Sequence, residues 1–196
     1  MTTVDFGPAA QRLADLIART TADELGRPTP CPSYTLGDLI EHVGGMAVAF
    51  AAAARKDRGP AVEENPPGDA GRLGDDWRTR IPRDLAALGQ AWQEPGAWEG
   101  MSRIAGMDTP AEVIGLVLAD ELAVHGWDVA RATGQPYACE PELLDAARSF
   151  LGQVASPDAP AGPDVAFGPP RPVSPDAPML DQVVALAGRD PGWRAS

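Results

Sequence analysis

Lysine is nearly absent from this chain. Lys56 is the only one, the acidic residues number 28, and the formal net charge is -12. A protein that follows a phosphate backbone needs a basic face, so this balance argues against nucleic acid as a partner. Cysteine is scarce as well. Cys31 and Cys139 are too few for a disulfide framework, and neither has a close Cys or His partner of the kind that builds a zinc knuckle. No run of about 18 uninterrupted apolar residues occurs, and the N-terminus lacks a basic stretch leading into an apolar one. Neither a membrane span nor a secretory leader is therefore expected. Together these absences point to a cytoplasmic protein with two free thiols. Strand periodicity is missing too, apart from a short extended piece around Asp164–Gly168.

What the sequence does contain is helix. Its 196 residues suit one domain with a real core. Phe6, Ala9, Ala10, Leu13, Leu16 and Ile17 recur at helical spacing and predict a first helix over about 5–25. The prolines of "RPTPCPS" then force an extended connection. Thr35, with Asp38 three residues on, reads as a capping box opening a second helix that continues to Ala54. Residues 56–71 are polar, rich in Pro and Gly, and read as loop. A third stripe, Trp77, Ile81, Leu85, Leu88 and Trp92, contains Pro82, which suits the first turn of a helix better than its interior. Residues 96–108 read as an irregular crossing.

Thr109 as N-cap and Pro110 at the first helical position open a long helix that Gly134 closes. Shorter helices follow over 141–152 and around Met179–Leu186, separated by a Pro-rich segment over 153–176. The expected architecture is all-α: a four-helix bundle over 1–152, with 153–196 packing back on it as a short helical extension of the same domain.

The helix that ends at Gly134 carries charge in an unexpected place. Ile114, Val117, Leu118, Glu121, His125 and Asp128 share one stripe, so an acid and an imidazole point where the apolar residues point. A buried carboxylate needs a partner or a metal. The chain has two histidines, and the other, His42, lies at the edge of the apolar face of the second helix. Glu121, His125 and His42 would make a two-His, one-Glu site with open positions, as in catalytic zinc centres. Spacing alone leaves a second reading open, in which these are ordinary polar residues of a core edge.

"TPCPSYTLGDLIEHVGG", followed about eighty residues later by "ADELAVHGWDVARATGQ", resembles the DinB-like metal-binding proteins. More narrowly, these segments and the tail "APMLDQVVALAGRDPGW" are similar to the metal-binding domain of mycothiol-dependent maleylpyruvate isomerase and its short actinobacterial relatives. The resemblance runs nearly the full length. It implies a DinB/YfiT-like bundle with an up-down-down-up path and carries ligand roles onto His42, Glu121 and His125. It also implies a divalent metal, zinc first with nickel or iron as alternatives, and mycothiol as thiol cosubstrate. The isomerase resembles a two-domain protein, and its further α/β domain is not expected in this chain.

Four more residues come into view beside the ligands. Asp38 precedes His42 by one turn and either orients its imidazole or only caps the helix. Asp128 either orients His125, holds an incoming ligand, or is an ordinary polar residue. Trp127 either walls a pocket or fills core, and Arg131 either reaches an anionic ligand or lies in solvent. Cys31 reads as packing rather than as a redox handle.

The expected function is a metal- and thiol-dependent transferase or isomerase acting on an electrophilic small molecule. The alternative is a non-catalytic metal-binding regulatory or interaction bundle, with a non-haem iron oxygenase ranked last. Partners are the electrophile and a low-molecular-weight thiol, with neither nucleic acid nor membrane. Pairing into a homodimer is left open.

Overall fold

The helical stripes assemble as four long helices. The computed structural model describes residues 3–158 and 168–195. Helix α1 spans Gly7–Arg19, α2 Leu36–Ala54, α4 Trp77–Ala91 and α5 Ala111–Thr133, with a single turn, α3, at Pro60–Glu63. Both α1 and α2 pack against α4 and against α5, so α1 and α2 lie across the bundle from each other. Leu13, Ile17, Leu39, Ile40, Val43, Ile81, Leu85, Leu88, Leu118 and Leu122 fill the centre, almost wholly buried. Helix α2 has the length and hydropathy of a membrane span, but 67% of that window is buried inside the protein. That is the burial of a core helix.

Local chemistry explains the boundaries. The first helix stops at Arg19, short of the expected 25, because Thr20 is extended and Thr21 restarts the chain. The Thr21 backbone N–H donates to Glu24 (2.8 Å), capping a separate turn at Ala22–Glu24. The capping box of α2 forms as expected. The Thr35 N–H donates to the Asp38 carboxylate (3.0 Å), and the Asp38 N–H donates to Thr35 Oγ1 (3.3 Å). Helix α4 begins five residues before Pro82, contrary to the sequence reading. Its first turn is held from outside: Trp77 and Ile81 are buried, and the Arg78 Nε donates to the Thr20 carbonyl (2.9 Å). Tertiary anchoring there offsets the backbone bond that proline cannot make.

The crossing segment is a β-hairpin, the principal structural error of the sequence reading. Strands β1 (Met101–Ile104) and β2 (Met107–Pro110) pair antiparallel, with Ile104 opposite Met107. Ala105 and Gly106 connect them, both at positive φ (49° and 74°), the two-residue turn whose twist matches a hairpin. The Ser102 hydroxyl donates to the Ala53 carbonyl (2.5 Å), and the Gly106 N–H donates to Val62 (2.9 Å). The hairpin is thereby fixed to the end of α2 and to α3. Thr109 therefore belongs to a strand, Pro110 stands at the N-cap, and α5 begins at Ala111.

Gly134 closes α5 in the left-handed conformation (φ 69°), as expected. Helix α6 (Pro141–Val154) packs on α5, and α7 (Met179–Leu186) packs on α6 and α5. The extended piece expected around Asp164–Gly168 lies, but for Gly168, outside the described residues.

Candidate metal centre

Helices α2 and α5 bring His42, Glu121 and His125 together. Glu121 Oε2 lies 3.2 Å from His125 Nε2 and 3.4 Å from His42 Nε2. One ligand atom from each of the three lies within 4.8 Å of the others. The imidazoles meet edge to face, with centroids 5.0 Å apart. Donors bound tetrahedrally at about 2.0–2.1 Å from one ion stand roughly 3.4 Å apart, and the two Glu–His separations match that spacing.

The charges are mutually arranged. Burial pushes the Glu121 carboxyl up, but hydrogen bonds from His125 and His42 outweigh it and hold the group well below the ordinary carboxylate range. Burial works against charge on His125, yet Asp128 and Glu121 push its pKa up to about 10. A metal entering the site therefore displaces a proton from His125.

The two histidines have unlike surroundings. His42 lines the groove described below, with the Tyr34 ring 5.6 Å away. Tyr34 also accepts the Gly68 N–H (3.0 Å), drawing the 65–70 loop onto α2. A Cβ on Gly68 would stand 2.2 Å from the Asp38 carbonyl and 3.0 Å from His42 Cβ, so only glycine allows that approach. His125 is buried. Its Nδ1 lies 3.1 Å from Asp128 Oδ2, and Asp128 is fully buried. A carboxylate there holds the tautomer that presents Nε2 to a metal. Of the three readings open for Asp128, the orienting one is the one that this hydrogen-bonding distance suits.

The other flanking residues stand elsewhere. Asp38 makes no hydrogen bond to His42 among the described residues. One of its oxygens serves the cap and the other accepts the Ala70 N–H (2.8 Å), tying down the loop. Trp127 is buried away from the groove described below, with the Arg131 guanidinium 5.1 Å above its ring. Arg131 reaches the Pro191 carbonyl (3.3 Å) rather than a ligand space. Both lie on the face of α5 turned toward the C-terminal tail. Cys31 is buried, in keeping with a packing role. Gly126, inside the His-Gly-Trp-Asp segment, makes room for Tyr137, whose hydroxyl donates to the Leu122 carbonyl (2.8 Å). A Cβ at Gly126 would lie 2.2 Å from that oxygen.

Sequence reasoning missed two features. The first is a groove of about 930 Å³ over the outer face of α2, with His42 and Glu121 in its lining. Val113, Ile114 and Val117 of α5 also line it, together with Ile104 and Met107 of the hairpin and Arg72, Leu73 and Arg80 of the facing segment. Its hairpin side could not be read because no strand was expected. The second is Arg189, which is buried and places Nη2 3.3 Å from Asp128 Oδ2. Gly188 turns the chain there at φ 82°, and no spacing in the sequence links residues 61 positions apart.

Known proteins share this fold and much of this sequence. The family model described as "Mycothiol maleylpyruvate isomerase N-terminal domain" matches residues 6–130. Two uncharacterised proteins, from two strains of Mycobacterium tuberculosis, are each 33% identical over 187 residues, covering 92% of this chain and 93% of theirs. Crystal structures of the mycothiol-dependent maleylpyruvate isomerase, one of a point mutant, share the fold at 18–19% identity and a TM-score of 0.56. The match covers 74% of this chain and 65% of the isomerase. The chain belongs to the mycothiol maleylpyruvate isomerase N-terminal domain family.

Proposed function

We propose that this protein binds a divalent metal, zinc first, through His42, Glu121 and His125. We propose further that it acts as a thiol-dependent transferase or isomerase on an electrophilic small molecule, with mycothiol as the thiol. The observation that carries the reading is the meeting of two imidazole nitrogens and a carboxylate oxygen at the wall of a large groove. A purely structural zinc closes all four positions with protein ligands. Three donors beside open space leave room for a thiol. Membership in a family described by mycothiol and maleylpyruvate adds the thiol to the proposal.

A divalent ion held there supplies Lewis acidity, which lowers the pKa of a thiol that joins it. The remaining work belongs to the chain. Asp128 holds the His125 Nδ1 side so that Nε2 faces Glu121, which lines the groove. His42, on the outer rim, stands nearest the arriving ligand. Between His42 and Ala49 the groove follows α2 for about 10 Å, along Met46, Phe50, Ile114 and Val117. That apolar lining suits the body of an electrophile and keeps water from the thiol's line of attack.

The test starts with elemental analysis of the full chain, purified without chelators, beside His42→Ala and His125→Ala. Metal near one equivalent, lost in both variants, is expected. Metal-loaded protein should then accelerate transfer of mycothiol to 1-chloro-2,4-dinitrobenzene, the sulfur–carbon bond forming as chloride leaves, or isomerise maleylpyruvate when mycothiol is present. Metal without thiol-dependent turnover of either compound would favour the alternative, a non-catalytic metal-binding bundle. No metal after reconstitution would end the enzyme reading.

A further inference from the structure

We infer that Arg189, in the C-terminal tail, is a positioning residue of the metal centre, acting on His125 through Asp128. The metal part of the inference rests on the proposed metal role of His125; the hold of Arg189 on that ring through Asp128 does not. Arg189 lies well beyond residues 6–130, the span the family model matches.

The chain of contacts is short and buried throughout. Arg189 Nη2 lies 3.3 Å from Asp128 Oδ2, and the same oxygen lies 3.1 Å from His125 Nδ1. The far side of that imidazole, Nε2, lies 3.2 Å from Glu121. Arg189 Nη1 donates to the Ala187 carbonyl (2.9 Å), so the guanidinium is anchored to the end of α7. Asp128 and Arg189 are 0% and 6% exposed. The carboxylate cannot turn away from His125 without giving up the guanidinium.

Stability alone is a poor reason for this arrangement. Taking a guanidinium and a carboxylate out of water is costly, and an apolar pair of the same volume would hold the tail as well or better. The pair is also incompletely satisfied. Among the described residues, Asp128 Oδ1 and Arg189 Nε have no hydrogen-bond partner, nor does Oδ1 of buried Asp120, whose electrostatic neighbours include both Asp128 and Arg189. Native interiors hold few such atoms, and each calls for an explanation. Tuning of a ligand by its hydrogen-bonded neighbours is one, because such neighbours set ring orientation and basicity.

The test uses the full chain and zinc itself, with affinity read by competition against a chromophoric chelator. Variants are Arg189→Met, Arg189→Lys, Asp128→Asn and the double Asp128→Asn/Arg189→Met. The double variant removes both buried charges and so guards against failure to fold. Arg189→Met is expected to weaken zinc binding about tenfold, at the low end of what loss of a ligand's hydrogen-bonded neighbour costs. Arg189→Lys should recover part of that. In the Asp128→Asn background, Arg189→Met should have no further effect, because its route to the metal is gone.

Unchanged affinity in Arg189→Met, or losses that multiply in the double variant, would overturn the inference and leave the metal reading standing. If the wild type binds no zinc, the metal reading falls and the positioning role is read from imidazole nitrogen NMR of the metal-free protein. With two histidines, His42→Ala assigns the signals. A single held state of His125 in the wild type, lost in Arg189→Met, supports the inference. An unchanged His125 signal refutes it.

Discussion

His42 and His125 approach the same carboxylate oxygen from different helices, and their surroundings differ. Around His42 the structure is open: the ring lines a groove, a tyrosine ring packs nearby, and glycines keep the neighbourhood thin. Around His125 it is closed, with Asp128 and then Arg189 behind the ring, buried. An open imidazole beside a held one suggests a division of labour. One side admits a ligand, and the other keeps the geometry constant while it does.

The largest expected effect breaks that comparison outright. His125→Ala leaves Glu121 and Asp128 without their shared partner. It should cost about 3–5 kcal/mol in denaturant unfolding and abolish metal binding. His42→Ala should also lose metal, at a stability cost of about 1 kcal/mol, because Glu121 keeps His125 as a partner. Equal stability losses would show that the two sides are not distinct.

Next in size is the groove. Val117→Trp places a large ring along its α5 wall and should lower thiol-dependent turnover at least about tenfold while metal content is unchanged. Full activity in that variant would move the electrophile elsewhere.

A third test uses pH. In the metal-free protein the pKa of His125 is pushed up to about 10, above about 6.5 in an unfolded chain. Its contribution to stability is therefore complete below about pH 6.5 and lost as pH rises through 10. The unfolding free energy of wild type minus that of His125→Gln should shrink across that window. Zinc uptake at pH 7.5 in weak buffer should release about one proton per ion, read with an indicator dye. No release would place His125 neutral beforehand.

The smallest effect is at Asp38. Asp38→Ala removes a helix cap and a loop contact and should cost about 1 kcal/mol while zinc affinity stays at the wild-type value. A marked fall in affinity would restore the orienting role that the sequence left open for this residue.

Much of the fold was legible because its signals are local. Thr35 and Asp38 cap α2, Gly134 ends α5, and the apolar stripe at Met179–Leu186 forms α7, each within a few residues of where the pattern put it. The shared face of Glu121 and His125 was legible for a related reason. A stripe with period 3.6 places Glu121 and His125 on one face whatever the rest of the chain does. The misses share a cause too. The strands are four residues long, too short for alternation to register, and one turn residue is an alanine at positive φ. Pro82 stays inside a helix because Trp77 and Arg78 are held by other elements.

The sequence by itself determined that this chain is helical, which faces its helices bury, and that an acid and two imidazoles belong to those faces. Periodicity and capping act over three or four residues, so they can be read along the chain. Only the tertiary structure decided that the hairpin helps line a groove beside those donors, and that Arg189 returns to hold Asp128 from 61 positions away. Such pairings follow from how the hairpin packs on α2, α3 and α5 and how α7 packs on α5 and α6, properties of the whole core that no short stretch contains.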